Sequence, residues 1–456
     1  MHWQHHAEGL ARVARLAKRL DPEIPELGGG GGPLGHWRAW RRDPVDLVER
    51  AAALGDAARF RLTYEPMHFF NTAGAFERIL VEEAQKFERA PFSGAVLATY
   101  IGRTMLNTNA EEWAEHRQMA QPSFHPRMVE RAVDAFATEA AITFDDWRRY
   151  AREGTTIDLA REGMSLTARL SARAFLGVDI DLQEARSLVD AIVLTQRWIF
   201  RRMSSLVPVT VPPDVQAGFA RIEAVVTKAI ATPPPSAGPP TYIERLRQDK
   251  SVDPQRVRDS VILVLVAAPE NPSNTFAWGA WLLARHRGWE ERLRAEVREA
   301  FGDAAPTVEV LDRMPLLDRI TREVMRLYPG AWLLDRFTID DTVVEGRRLP
   351  AGSMVLLSPL MLHRNPRYWD EPLVFDPDRF LPERSEGRPR SAYMPFGGGP
   401  RVCIAARIAL LEVKLLLALL VQRFRVHATT GESLPLEGLF ALRARDGVPV
   451  RLEEAP

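Results

Sequence analysis

A long apolar stretch with two prolines at its centre most constrains what this chain can fold into. Residues 261–286, VILVLVAAPENPSNTFAWGAWLLARH, predict a long buried helix, because apolar side chains run along both of its ends. Pro269 and Pro272 each remove a backbone hydrogen bond, at about 3 kcal/mol apiece in an ordinary helix interior. We therefore expect the prolines, which flank Glu270 and Asn271, to reshape the helix where it performs a function.

The rest of the chain predicts a mainly α-helical protein with a minor β portion. Amphipathic helical patterns dominate residues 77–301, and residues 404–424 are apolar nearly all round, as in a buried helix. Short strands are predicted within residues 58–71 and 335–359. Since neither an internal repeat nor an obvious break divides this pattern, we expect one domain over residues 1–456.

The overall charge excludes some partners. Lysine and arginine together number 60, as do aspartate and glutamate, so the formal net charge is zero. This balance does not indicate nucleic acid or an anionic membrane as a partner.

The first twenty residues contain no apolar run able to span a bilayer or serve as a secretory core. A cytoplasmic protein without a membrane span is therefore expected.

The single cysteine lies at a chemically distinctive position. Cys403 excludes an intramolecular disulfide and a zinc site built from several thiolates. It follows the glycine-rich run MPFGGGPRV and precedes the buried helix, and a helix N-terminus with Arg401 nearby favours a thiolate. Three interpretations are open for this loop: a nucleophile, a metal-bound thiolate such as the axial ligand of a haem, and a structural cysteine.

Three motifs follow one another in the C-terminal third of the chain: EVMR, FDPDRF and PFGGGPRVC. In this order, and with NTNAEEWAEHRQMAQPSFHP resembling a helix C, the sequence resembles the cytochrome P450 family over almost its whole length. The family loop Phe-x-x-Gly-x-Arg-x-Cys-x-Gly is matched by Phe396, Gly399, Arg401 and Cys403, while Ala405 replaces the last glycine. The resemblance implies a triangular prism of helices with haem between helices I and L.

The resemblance also implies a cofactor and the residues that bind it. The cofactor would be haem b, iron protoporphyrin IX, with the thiolate of Cys403 as its axial ligand. The implied haem-binding residues, whose arginines suit the propionates, are Trp113, Arg117, Arg336, Phe396, Arg401 and Cys403. A buried ion triad behind the haem would be Glu323, Arg326 and Arg379. For Arg336, a solvated charge at a strand end is an equal alternative.

The same resemblance places the substrate pocket. Its walls would come from the loop at residues 92–100, from Trp198 and its neighbours, and from residues of three further segments: Ala267, Ala268, Trp332, Leu333 and Phe440. These side chains are apolar or aromatic, which suits a hydrophobic small molecule. For each aromatic residue, and for Trp332 in particular, packing in the core is the commoner role.

By the same resemblance, residues 261–286 correspond to helix I, which crosses the distal face of the haem. Its usual pattern, Ala/Gly-Gly-x-Asp/Glu-Thr-Thr, appears here as AAPENP at residues 267–272, so Glu270 keeps the acid and Asn271 replaces the first threonine. We expect these two residues to be catalytic. A hydroxyl donates and accepts at one atom and so relays protons to dioxygen, whereas an amide does not readily do so.

Two reaction types are therefore open for a haem-thiolate enzyme acting on a hydrophobic small molecule in specialised metabolism. The first is a monooxygenase whose distal groove uses ordered water. Because no flavin, iron–sulfur or dinucleotide motif is present, its electrons would come from a ferredoxin and its reductase. The second activates an N–O or O–O bond of the substrate without external reductant, by nitrene or oxo transfer, cyclisation, dehydration or rearrangement. A haem electron carrier or sensor fits the size of the chain less well, and we expect a monomer.

Overall fold

The computed structural model describes residues 12, 13, 16, 18–205, 209–233, 240–250, 252–302, 304 and 306–455. In these residues helices predominate and strands form small sheets, which confirms the predicted mainly α class with a minor β portion. The helices are α1 (Trp37–Arg42), α2 (Pro44–Ala52), α3 (Ala73–Glu77), α4 (Pro91–Ile101), α5 (Ala110–Ala120), α6 (Pro126–Glu153), α7 (Leu159–Ser171), α8 (Leu182–Met203), α9 (Pro213–Ala231), α10 (Tyr242–Gln248), α11 (Pro254–Arg285), α12 (Arg287–Ala300), α13 (Val308–Asp312), α14 (Pro315–Leu327), α15 (Pro359–Leu362), α16 (Pro382–Ser385) and α17 (Ala406–Arg423).

The strands of the described residues are short, with two to six residues each. They are β1 (Ala57–Leu62), β2 (Glu65–Phe70), β3 (Phe87–Glu88), β4 (Thr156–Asp158), β5 (Leu334–Thr338), β6 (Thr342–Val344), β7 (Arg347–Leu349), β8 (Met354–Leu357), β9 (Phe424–Ala428), β10 (Leu436–Gly438), β11 (Leu442–Ala444) and β12 (Pro449–Glu454). The largest sheet has the order β1-β2-β8-β5-β3, in which only the β2–β8 pair is parallel. The pair β10–β11 forms a separate antiparallel hairpin.

The proline-containing segment forms one continuous helix. Helix α11 spans 32 residues with both prolines inside it, and the side chain of Asp253 caps its start by accepting from the amide of Gln255. The two prolines therefore do not end the helix. A neighbouring side chain stabilises the backbone there, because the hydroxyl of Thr167 donates to the carbonyl of Pro269 at 2.9 Å.

The core of the molecule forms around α11. It packs against α7 and α17, and the three contribute many of the buried side chains of the largest hydrophobic cluster. Close approach to α17 occurs at Gly279, where an added Cβ would lie 3.0 Å from the Leu417 side chain. None of the helices in the described part of the chain is long and apolar enough to cross a membrane.

Candidate active site

The loop before α17 holds Cys403 by backbone hydrogen bonds. The amide of Cys403 donates to the carbonyl of Phe396 at 3.0 Å, so the loop closes on itself. Gly397 and Gly399 have φ of +72° and +62°, which favours glycine at both positions. An added Cβ at Gly399 would lie 1.8 Å from the carbonyl oxygen of Leu80, so only glycine fits where this loop meets the preceding structure.

Cys403 is accessible to solvent, although many protein atoms lie near its thiol and desolvate it. Burial raises the pKa of the Cys403 thiol, while the Ala405 amide and the charge of Arg117 lower it, and the net direction is upward. The predicted help from Arg401 does not appear; the cation that acts on the thiol is Arg117. A raised pKa disfavours a free thiolate nucleophile.

A group of arginines with too few carboxylates lies beside this loop. Arg336 donates to the carbonyl of Asp335 at 2.7 Å, and Arg89 forms an ion pair with the Asp335 carboxylate at 3.3 Å. Burial and the charges of Arg89 and Arg401 lower the pKa of Arg336 to about 9. Burial and Arg89 lower that of Arg401 to about 10. This excess positive charge would be relieved by an anionic ligand.

The structure excludes one of the two roles that the sequence leaves open for Arg336, that of a solvated charge. Its side chain is buried, with 6% of the residue exposed, so it is not a solvated charge at the end of β5. Burial of a guanidinium is costly unless an anion compensates its charge, so this position suits the binding of an anionic group.

Helix α5 brings the other predicted haem-binding residues to the cysteine loop. Arg117 donates to the carbonyl of Val402, next to Cys403, at 2.8 Å. The guanidinium of Arg401 lies 4.8 Å from the ring centroid of Trp113 and donates to the carbonyl of Thr108 at 2.8 Å. These contacts bring Trp113 and Arg117 of α5 next to Arg401 and the backbone beside Cys403.

The three residues predicted as an ion triad are in direct contact and are buried. Arg326 donates to both carboxylate oxygens of Glu323, at 2.7 and 2.8 Å, and Arg379 donates to one of them at 3.0 Å. The remaining donors of the two arginines bind backbone carbonyls of residues 363–374. The triad thus fastens α14 to the long irregular segment that leads to the cysteine loop.

The centre of α11 presents different residues to different sides. Ala267 and Ala268 are half-buried and Asn271 is exposed, although most residues before and after them in the helix are buried. One face of α11 is therefore open at its centre. The amide oxygen of Asn271 also lies close to Gly330, where an added Cβ would be only 2.4 Å away.

Glu270, which the sequence predicts to be catalytic together with Asn271, does not share this open face. It is 5% exposed, and its Oε2 accepts from the amide of Gln196, on α8, at 2.8 Å. Arg443, on β11, lies 3.1 Å from Oε1 and donates to Gln196 at 2.9 Å. The acid is thus held on the closed side of the helix by two residues that the sequence did not reveal.

Of the two roles that the sequence leaves open for Trp332, pocket wall and core packing, the structure supports packing. Trp332 is 1% exposed, packs in a cluster with α2 and the large sheet, and donates its indole N–H to the carbonyl of Leu439 at 2.9 Å. A fully buried indole does not line an open pocket, so its role is packing. The neighbouring Leu333 is half-buried and remains available to a pocket wall.

Aromatic residues from α4, α8 and the β10–β11 hairpin contact one another. Phe440, half-buried at the tip of the β10–β11 hairpin, contacts Phe200 edge to face with ring centroids 6.1 Å apart. Tyr100 contacts Trp198 in the same way at 5.1 Å. Residues 92–100, predicted to be a loop, belong instead to helix α4.

Comparison with known proteins decides the family. The family model described as cytochrome P450 matches residues 34–445. The chain belongs to the cytochrome P450 family. Members are haem-thiolate oxidoreductases that act on small molecules, usually with redox partners.

Several curated bacterial members of the cytochrome P450 family are similar along nearly their full length. Cyclooctatin synthase of Streptomyces melanosporofaciens is 29% identical, over 89% of this chain and 90% of that protein. Cyclooctat-9-en-7-ol 5-monooxygenase of the same organism is 28% identical, over 91% and 92%. Pentalenene oxygenase of Streptomyces avermitilis is 26% identical, over 86% and 89%.

The residues of this cytochrome P450 fit the haem that the family implies. The thiol of Cys403 could ligate iron. The arginines around Asp335 repel one another, and two propionates would neutralise their charge. The sequence missed Arg89, Gln196, Arg443 and the role of Gly330. No motif or spacing links these residues to the site, because they reach it from distant parts of the chain.

Proposed function

We propose that this cytochrome P450 is a monooxygenase that holds haem b through Cys403 and oxidises a hydrophobic small molecule in secondary metabolism. The observation that carries the proposal is the exposed, protein-enclosed Cys403 thiol next to a buried excess of arginine charge. When bound, the haem supplies the oxidising chemistry, using dioxygen and electrons delivered from outside. Arg117, Arg336 and Arg401 would bind its propionates, and Trp113 and Phe396 would pack against it.

Asn271 is the polar residue that we place at the reacting centre. It is exposed on the open face of α11, and its amide both donates and accepts hydrogen bonds. The prolines deprive the carbonyls of Leu265 and Ala268 of their usual helical donors. Ordered water between these acceptors and Asn271 would carry the protons that a threonine hydroxyl handles in the common pattern.

The pocket residues favour a bulky hydrocarbon as substrate. Ala267, Ala268, Leu333 and Phe440 are apolar and lie at half-buried positions that a ligand could cover. Three relatives carry names built on pentalenene, cyclooctatin or cyclooctat-9-en-7-ol. We therefore propose a cyclic terpene, with electrons supplied by a ferredoxin and its reductase.

A second function is favoured by one observation, the amide at position 271. A reaction that activates an N–O or O–O bond already present in the substrate needs no proton relay to dioxygen, so Asn271 would suffice as a binding group. Such an enzyme would convert its substrate without reductant.

Spectroscopic titration of the ferric holoenzyme with pentalenene and with cyclooctat-9-en-7-ol tests the substrate class. A ligand that fits the pocket would change the haem spin state, so we expect a saturable spectral change with at least one of them. Ferrous protein exposed to carbon monoxide should show the red-shifted Soret band typical of thiolate ligation, and Cys403→Ala should abolish it. Thiolate ligation without any substrate-induced change would refute the terpene class and retain the cofactor.

A further inference from the structure

The β10–β11 hairpin is bound to the segment that precedes β5. Its tip, residues 439–441, includes Phe440. The carbonyl of Leu439 accepts from the indole of Trp332 at 2.9 Å, and the amide of Leu442 donates to the carbonyl of Gly330 at 2.9 Å. The position of Phe440 therefore depends on how this hairpin is held.

A buried polar network connects the same hairpin to two helices. Arg443 contacts Glu270 of α11 and Gln196 of α8, and all three residues are buried. Its Nε atom also lies 3.6 Å from Glu437 of β10, which accepts from Arg197 of α8 at 2.9 Å. Two carboxylates and two guanidiniums balance in charge, and the buried charges stay paired only while hairpin and helices keep this arrangement.

The hairpin reaches two consecutive residues of α11 by two routes. Arg443 binds Glu270 directly. Its neighbour Leu442 binds Gly330, whose Cα lies against the amide of Asn271. Arg443 and Leu442 of β11 therefore determine the positions of Glu270 and Asn271, respectively. Both of these residues lie at the centre of α11, where one face is open.

We propose that Arg443 is a positioning residue that fixes the hairpin tip, and Phe440 on it, relative to Asn271, and thereby sets the orientation of a ligand between them. This inference rests on the proposed function, in which Phe440 and Asn271 line one pocket. Glu270 belongs to the same buried network: it is the anion that Arg443 binds, and it does not lie on the open face of α11.

The test compares two iron-binding probes on the ferric holoenzyme. Imidazole binds haem iron and is too small to reach far from it, whereas 4-phenylimidazole carries a ring into the distal pocket. The ratio of their affinities therefore reports the shape of the pocket without turnover. We expect Arg443→Met and Glu270→Gln each to lower the relative affinity for 4-phenylimidazole by about tenfold, within the range of coupling through a shared network.

The same hairpin offers a matched control. Arg445 forms an exposed ion pair with Asp43 at 2.9 Å, so Arg445→Met removes an ion pair from the hairpin without touching α11. The ratio should stay at the wild-type value in this variant. In the double variant Glu270→Gln/Arg443→Met the ratio should fall no further than in Arg443→Met alone, because both substitutions remove the same ion pair.

An unchanged ratio in Arg443→Met and Glu270→Gln, or an equal change in Arg445→Met, would overturn the proposal. If Arg443→Met does not fold, Glu270→Gln decides alone, since it leaves no unpaired buried carboxylate. The outcome is separable from that of the proposed function: absence of any response to the two terpenes refutes that substrate class, while the imidazole ratio still decides the role of Arg443.

Discussion

The amide oxygen of Asn271 lies where a side chain at position 330 would begin, because a Cβ on Gly330 would be 2.4 Å from it. Real Cβ atoms do not approach an oxygen so closely, so Asn271 has this position only because residue 330 is glycine. The segment after α14 thus determines where the polar group on the open face of α11 sits.

Gly330→Ala should move the Asn271 amide. We expect a lower yield of product per reducing equivalent and more hydrogen peroxide, since a displaced amide no longer orders water in the groove. Peroxide release during reductant consumption measures this. Gly288→Ala is the control, because a Cβ there meets no neighbour. Equal peroxide release in Gly330→Ala and wild type would show that the Asn271 position does not matter.

The arginines around Asp335 should retain the haem. Arg336→Met and Arg401→Met should each speed transfer of haem to an excess of apoglobin by about tenfold, because each removes a charge-assisted contact to a propionate. Arg407→Met is the matched control, since Arg407 pairs with Asp312 at the surface. Haem loss at the control rate in both variants would show that the propionates bind elsewhere.

The buried triad should dominate local stability. Arg379→Met leaves Glu323 with one guanidinium and should lower the free energy of unfolding by about 3–5 kcal/mol. Arg384→Met, which breaks the exposed pair with Asp376, should cost about 1 kcal/mol or less. Denaturant unfolding followed by circular dichroism compares them. Similar losses in the two variants would contradict the role assigned to burial.

A buried histidine should make stability depend on pH. Burial and Arg326 lower the pKa of His363 from 6.5 to about 3, and its Nε2 accepts from the Met394 amide at 3.0 Å. Between these pH values the unfolded chain binds more protons than the folded one. The stabilising contribution is therefore complete above pH 6.5 and falls as the pH drops, by about 2 kcal/mol at pH 5.

His363→Gln keeps an acceptor for Met394 and does not titrate. Its free energy of unfolding should fall less between pH 7 and pH 5 than that of the wild type, as measured by denaturant unfolding at each pH. His68, whose pKa burial lowers to about 4, remains in both proteins and contributes equally to both slopes. Parallel slopes would mean that His363 is not held neutral.

The cysteine loop and the triad could be predicted because their residues lie in short segments whose spacing carries the information. Helix α11 was harder, since two prolines predict a disturbed helix and the hydroxyl of Thr167 that stabilises one carbonyl comes from α7. The side of a helix or strand that faces the core is also set by neighbours. For this reason the sequence does not determine whether Trp332 lines the pocket or whether Glu270 faces it, and the structure shows that both side chains are buried.

Arg443 and Gln196 could not be found from the sequence, because each reaches Glu270 across a large separation along the chain. An arginine in a short strand looks like a solvated charge until its partner is known. The same holds for Arg89, whose contribution to the charge beside Cys403 becomes visible only through Asp335.

Product formation in the presence and absence of reductant tests the monooxygenase most directly. Extract from the source organism with this gene deleted provides the accumulated substrate, and purified ferric protein is added in two arms. One arm is anaerobic without reductant; the other contains isotopically labelled dioxygen, a ferredoxin and its reductase. A monooxygenase would form product only in the aerobic arm, and the mass spectrum of that product would show the labelled oxygen. A product in the anaerobic arm would contradict this function and show that the substrate brings its own activated bond.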